Sequence, residues 1–357
     1  MRKLAFVDHS FHIKSTATKF LIDILRENFE TEVFWDESWQ TGVELDLEKI
    51  KNDGFDYLVL FQMLNYDTEL IKRLNFKDVI IIPMYDGCYL YQDWEWKRFE
   101  SFKFINFSST LHNKLTDFGI KSHYRQYVPD PDNFSQVNYG KLNGFFWQRT
   151  DYINWYKIRK LSEDTRFDRF HLHGAVDPGH TYVSPTPEDI EHYRMTTSVW
   201  FDKREDYQLV LNNSNLFFAP RLYEGIGMSF LEAMAKGMCV VAPHFPTMSE
   251  YIKHGETGLL YDPFDPKPMD FSDAFRIGRN AREFIFEKRK EWLENIKEIP
   301  EYISTPFKFD RRKIKIPRKS FRNIADERMR KIYHRHTPES LKPVIRKVYH
   351  ILKGSKA

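Results

Sequence analysis

The chain has 357 residues, with 54 lysines and arginines against 51 aspartates and glutamates, a formal net charge of +3, 41% hydrophobic residues and 29% charged ones. That length exceeds one ordinary hydrophobic core and suits two α/β domains, and that balance excludes a disordered chain. Cys88 and Cys239 are too few for a disulfide framework, zinc-ligand spacing is absent, and no apolar run approaches the roughly 18 residues that would cross a membrane.

In chain order, residues 4–7 read as a first strand, followed by a helix over 16–28 with Phe20, Leu21, Ile24 and Leu25 on one face. Strands are expected at 31–35, 57–61 and 79–84, with a helix at 68–74 between the last two. A strand at 102–107, a helix at 109–117 and a strand at 123–128 close this half. Pro129, Asp130, Pro131 and Asp132, with the polar stretch to Tyr139, read as a hinge. A second alternation follows: strand 144–147, helix 152–161, strands 170–173 and 196–201, helix 205–212, and a strand at 216–219. Strands alternating with helices make parallel sheets with crossovers, and two such runs place a ligand crevice between the C-terminal strand ends of two sheets.

Residues 217–263 concentrate the chemistry. Pro220 stops the strand because it offers no N–H, and Gly225 and Gly227 allow a tight turn. Met228, Leu231, Met234 and Ala235 then recur at helical spacing, and Gly237 ends the helix before the continuous apolar run 238–242. The first N–H groups of such a helix lack partners within it, so they form a place for anionic oxygens. Glu224 stands in the loop and Glu232 rides on the helix eight positions later. Taken alone, these are a loop glutamate and a glutamate near a helix N-terminus, both common.

The ordered set resembles the retaining GT-B glycosyltransferases with a Glu-x7-Glu motif, the glycosyltransferase family 4-like proteins (glycosyl transferases group 1). The likeness runs through the glycine loop, LEAMAKG at 231–237, VVAP at 240–243 and SEYIKHGETGLL at 249–260. It implies an α/β protein with two Rossmann-like domains facing across a cleft. The acceptor domain would span 1–132 and the nucleotide-sugar domain 140–285, with a crossover helix at 286–306; residues 307–357 leave the likeness and read from their own pattern as a basic, partly amphipathic helical extension. It also implies retention of anomeric configuration and a UDP-, GDP- or TDP-linked sugar donor, with no cofactor.

Carried over by position, Glu232 takes the ribose hydroxyls, Glu224 the transferred sugar, and Arg149 the donor phosphates. For Arg149 the competing reading is a surface arginine at a helix start. The family's lysine in a Lys-Gly context is missing from TDYINWYKIRK. Lys157 is the candidate substitute, and the backbone N–H groups of Gly225, Ile226 and Gly227 are a further source of positive charge. Relatives carry paired glycines after the first strand, where this chain has His12, Lys14 and Ser15. Lys14 or a hydroxyl would replace those backbone donors, and His12 would serve as a base or an acceptor-hydroxyl ligand.

Asp86, at the end of the strand 79–84, reads either as a ligand of acceptor hydroxyls or as a turn aspartate before Gly87. His173, at a strand end before Gly174, is expected to contact donor phosphate or base. His171 and His173 share a strand face but have no third ligand at metal spacing, and Asp130 and Asp132 fall in the hinge, so no metal is expected.

The residues 307–357 hold 17 of the basic side chains and 4 of the acidic ones, which leaves the rest of the chain net acidic. Leu341, Val344, Ile345, Val348 and Leu352 lie near one helical face, with Lys342, Arg346, Lys347 and Lys353 mostly elsewhere. Such a helix either lies on an anionic membrane surface or packs on its own core or a partner subunit. The expected place is the cytoplasm, peripheral on the inner face of the cell membrane, with a lipid-linked surface polysaccharide as acceptor. No nucleic-acid module spans the tail. The alternatives are a non-catalytic carbohydrate-binding or scaffold protein of the same fold and a nucleotide-sugar epimerase.

Overall fold

Residues 2–201 and 204–318 are described by a computed structural model, in which the strand runs assemble into two wholly parallel six-stranded sheets. The first contains β1 Lys3–His9, β2 Glu30–Asp36, β3 Tyr57–Phe61, β4 Asp78–Ile82, β5 Lys103–Asn106 and β6 Ser122–Tyr124, in the order β2-β1-β3-β4-β5-β6. The second contains β7 Asn143–Trp147, β8 Arg169–His173, β9 Met195–Ser198, β10 Leu216–Phe218, β11 Cys239–Pro243 and β12 Leu259–Tyr261, in the order β12-β11-β10-β7-β8-β9. The inner strands are buried along their length, as β3 and β11 show, because crossover helices cover both faces.

Both sheets lie within one compact unit that runs to Tyr91 and resumes from Arg98 to Lys315, while residues 92–97 fall outside it. A continuous apolar cluster joins Phe6, Phe61 and Phe107 to Phe230, Met234 and Trp292. A second gathers Trp155, Phe167, Phe170 and Tyr193.

Several boundaries differ from the sequence reading for local reasons. The helix expected from Thr16 starts at Lys19, because Thr16 has φ 52° and ends a separate turn, His12–Ser15. β4 stops at Ile82, ahead of Pro83, and the expected polar loop at 85–87 is a helical turn, Tyr85–Cys88. The helix expected at 152–161 begins at Trp155, where the Asn154 side chain caps it by accepting from the Lys157 N–H. A short helix, Pro187–His192, was not expected, although Thr186 and Asp189 form a reciprocal capping box at its start.

After β12 the chain forms the helices Ala274–Asn295 and Glu298–Ser304. Lys103 of β5, 1% exposed, holds the second of these to the first sheet. Its ammonium donates to the carbonyls of Tyr302 (2.8 Å), Ile303 (3.1 Å) and Thr305 (2.8 Å) and to Asp78 (2.8 Å). Of the basic extension, residues 307–318 are described, with Arg311, Arg312 and Lys313 exposed. The amphipathic pattern at 341–353 lies outside the described residues.

Candidate functional site

The second sheet reverses its order between β7 and β10, which are hydrogen-bonded neighbours whose crossovers run to opposite sides. Loops leaving two such strands diverge and open a crevice at their C-terminal ends. Arg149 follows β7, and the loop from Pro220 to Gly227 follows β10.

The guanidinium of Arg149 lies over the Trp147 ring, 4.9 Å from its centroid. Its Nε and Nη2 donate to Asp177 Oδ1 at 3.1 and 2.9 Å, and the Asp177 N–H donates to the Arg149 carbonyl at 2.8 Å. Two further bonds tie the loop after β8 across this position: Trp147 Nε1 to Ala175 O (2.7 Å) and Gln148 Nε2 to Thr181 O (3.0 Å). Arg221, from the other loop, donates through Nη2 to Asp177 Oδ2 at 2.6 Å and through Nη1 to Asp86 Oδ2 at 3.4 Å. One carboxylate therefore joins two guanidinium groups, and one guanidinium joins loops of both sheets.

Glu224 lies against this cluster and is 8% exposed. Burial pushes its carboxyl up to about 7; the Arg221 guanidinium opposes that shift, the Asp86 carboxylate adds to it, and Arg149 opposes it more weakly. Burial also raises Asp86, whose Oδ1 has no hydrogen-bond partner among the described residues. Thr247 fixes the loop by donating to the carbonyls of Glu224 (2.7 Å) and Gly225 (3.3 Å).

Two glycines are required here. A Cβ on Gly225 would stand 2.8 Å from Met84 Cβ and 3.0 Å from Asp86 Oδ1, so only glycine lets the Tyr85–Cys88 turn approach. Gly227, with φ 82°, caps the helix Met228–Ala235. Ile226 between them is buried. Glu232 is half-buried on that helix, and its charge reaches Tyr127 and Lys236.

Of the side chains expected to bind donor or acceptor, Glu224, Arg149 and Asp86 thus converge with Gly225. Others sit elsewhere. The Lys157 ammonium donates to the carbonyl of Pro263. His173 touches the Trp147 ring, but it is 2% exposed, its Nδ1 is 2.8 Å from Ser198 Oγ, and its ring stacks on Phe201. Burial, with a smaller push from His171, lowers it to about 4, so it is neutral at pH 7. His171 bridges Thr196 Oγ1 and Ser198 Oγ, which accounts for the paired histidines without a metal.

His12 is placed by Asp8, whose Oδ1 is 2.7 Å from its Nδ1. Asp8 is fully buried and also accepts from Thr18 Oγ1 (2.7 Å) and the His9 N–H (2.8 Å). Lys14 and Ser15 are exposed on the same turn. A cavity of about 390 Å³ opens at the ends of β1, β3 and β4, lined by His9, Gln62, Asn65, Met84, Asp86 and Gly87. Gln62 has φ 60°, a left-handed conformation that costs a non-glycine residue about 1 kcal/mol or more. Arg221, Asp177, Asp8 and Gln62 were not singled out from the sequence. The only available signal was position: Arg221 lies three residues before Glu224, and Asp177 lies in the DPG turn after β8.

Among the described residues, no group of three or more His, Cys, Asp and Glu side chains is arranged to hold a metal ion, and no helix is long and apolar enough to cross a membrane.

Residues 190–298 match the family of glycosyl transferases group 1. A sucrose synthase from Acidithiobacillus caldus is 30% identical over 141 residues, which are 34% of this chain and 16% of that protein. The lipopolysaccharide core biosynthesis mannosyltransferase LpsB from Rhizobium meliloti is 44% identical over 68 residues, 18% of this chain and 19% of that protein. The chain thus matches less than a fifth of the length of either relative.

Solved structures align over far more of the chain. Sucrose-phosphate synthase from Thermosynechococcus elongatus superimposes with a TM-score of 0.62 at 14% identity, covering 85% of this chain and 99% of that one. Anabaena HepE in complex with UDP superimposes with a TM-score of 0.61 at 14% identity, covering 84% and 100%. With the two sheets and their order, these likenesses establish the GT-B fold, two Rossmann-like domains facing across a cleft.

Proposed function

We propose that this GT-B-fold chain, matching the glycosyl transferases group 1 family over residues 190–298, is a glycosyltransferase that moves a sugar from a nucleotide-sugar to a hydroxyl of a glycan. The observation that carries the reading is the convergence of Arg149 and Glu224 at the β7–β10 switch point, just ahead of the helix that bears Glu232. Glu232 takes the ribose hydroxyls, since an ionised carboxylate accepts hydroxyl hydrogen bonds about twice as strong as neutral ones, and Glu224 takes those of the transferred sugar through a carboxyl that holds its proton below about pH 7. Arg149 neutralises the diphosphate as it leaves. The UDP complex of the Anabaena protein supports a uridine nucleotide.

The reaction proceeds with retention, as the resemblance to the Glu-x7-Glu glycosyltransferases implies. The bond from the anomeric carbon to the diphosphate oxygen breaks, the acceptor oxygen bonds to the same face, and its proton passes to the leaving phosphate. Glu224 positions the sugar and is not a covalent nucleophile. Asp86 and His12, the latter held by Asp8, face the acceptor hydroxyls, with Lys14 and Ser15 further along the same turn. No metal is needed where guanidinium groups and a helix N-terminus carry the charge. The acceptor domain is residues 1–132 and the donor domain 140–285. The acceptor is a lipid-linked surface polysaccharide, approached at the inner face of the membrane through the basic residues 307–357. The mannosyltransferase relative supports that class of acceptor.

Calorimetric titration with UDP, GDP, TDP, CDP and ADP, with and without Mg²⁺, tests this reading. Selective binding of one nucleotide, insensitive to Mg²⁺ and weakened in Glu232→Ala, is the expected result. Binding of none at millimolar concentration would favour a scaffold or carbohydrate-binding protein.

A further inference from the structure

Two charged groups at the crevice, Arg221 and Asp177, exceed what the donor reading has used, and both stand with Arg149. Arg221 comes from the β10 loop, Asp177 from the loop after β8, and Arg149 from the β7 loop. Both oxygens of Asp177 are occupied, Oδ1 by Arg149 and Oδ2 by Arg221, at 2.9 and 2.6 Å for the closest contacts. Two guanidinium groups thus stand a single carboxylate apart, each presenting N–H donors to the same anion. Planar guanidinium forks match phosphate oxygens as they match carboxylate oxygens. Lys157, the side chain expected to supply the second positive charge, is turned onto the Pro263 carbonyl.

We propose that Arg221, paired with Arg149 across Asp177, is the second cation of the diphosphate site, and that Asp177 is an internal competitor which the diphosphate of the donor displaces. The assignment rests on the donor reading above and adds to it a residue and a means of regulating access. Arg221 is suited to the exchange because it keeps a second partner, Asp86, when Asp177 leaves. Arg149 is likewise retained by the Trp147 ring. Asp177 stands in a glycine- and proline-containing turn, which allows it to withdraw without unravelling a strand.

The test is calorimetric titration of the full chain with UDP, uridine and inorganic pyrophosphate, in wild type, Arg221→Gln and Asp177→Asn. Arg221→Gln should weaken UDP and pyrophosphate at least tenfold and leave uridine unchanged. Asp177→Asn should tighten pyrophosphate severalfold, because the arginine pair no longer has an anion of its own. A folded Arg221→Gln protein that binds UDP within twofold of wild type would overturn the assignment. If that variant does not fold, Asp177→Asn decides: tighter pyrophosphate supports the assignment, and unchanged or weaker binding overturns it. Wild type that binds uridine and UDP equally removes only the role of the arginine pair. Wild type that binds no nucleotide of any base overturns the donor reading and this assignment with it.

Discussion

Glu224 keeps a proton up to about pH 7, well above its ordinary value of 4.5, because the crevice strips its water more than Arg221 restores its charge. Between those two values the folded chain holds that proton and the unfolded chain has lost it. The unfolded state then binds fewer protons, so this group makes stability fall as pH rises through the window, by at most about 1.4 kcal/mol per pH unit. The loss is complete above the folded value. Glu224→Gln should remove that slope, so its stability relative to wild type should climb from pH 5 to pH 8 in urea titrations; a constant difference would mean that Glu224 is ionised throughout. Glu224 and Arg149 could be singled out in the sequence because each follows a recognisable strand end, Glu224 within the ordered motif and Arg149 just after the strand Asn143–Trp147. Arg221 and Asp177 were not, since they lie 44 positions apart and become neighbours only when β8 and β10 flank β7.

At the scale of elements, two contacts between distant segments define what holds the sheets' surroundings in place. Glu250, within the motif region, accepts from Ser108 Oγ (2.8 Å), the Ser109 N–H (2.7 Å) and the Thr110 N–H (3.1 Å). It thereby caps the helix Ser109–Asp117 from the other half of the chain, meeting its unpaired donors and its dipole. Glu250→Ala should cost about 1 kcal/mol or more of stability by urea unfolding, the usual price of losing a cap. Lys103→Met strands Asp78 and three carbonyls at a buried site and should cost about 3–5 kcal/mol, read as a lower unfolding midpoint. The inner strands were readable because runs such as YLVLF and CVVAP admit few other structures. The helix Pro187–His192 was not, because it has six residues and only its capping residue Asp189 is buried.

For the whole molecule, the two sheets were legible as two alternations of strand and helix, and their order was not, because crossovers leave no mark in one sequence. That order is what brings Arg149 and Glu224 to one crevice. Added nucleotide should protect the 220–227 loop from hydrogen exchange and speed exchange in the 174–186 segment, since the diphosphate takes Arg149 and Arg221 from Asp177. Protection of both segments together would mean that Asp177 keeps its arginine partners.

The return of the chain to its first sheet has a further consequence. Residues up to 140 carry the first sheet, yet the helix that Lys103 grips belongs to the later part, and Tyr127 and Val128 also bond there through Tyr251 and Arg289. A protease site placed at the exposed Gly140 and Lys141 should therefore yield two fragments on a denaturing gel that still elute as one particle by size exclusion. The peptide bond between the halves is dispensable for holding them together, and the two pieces, made as separate polypeptides, should find each other and rebuild the crevice.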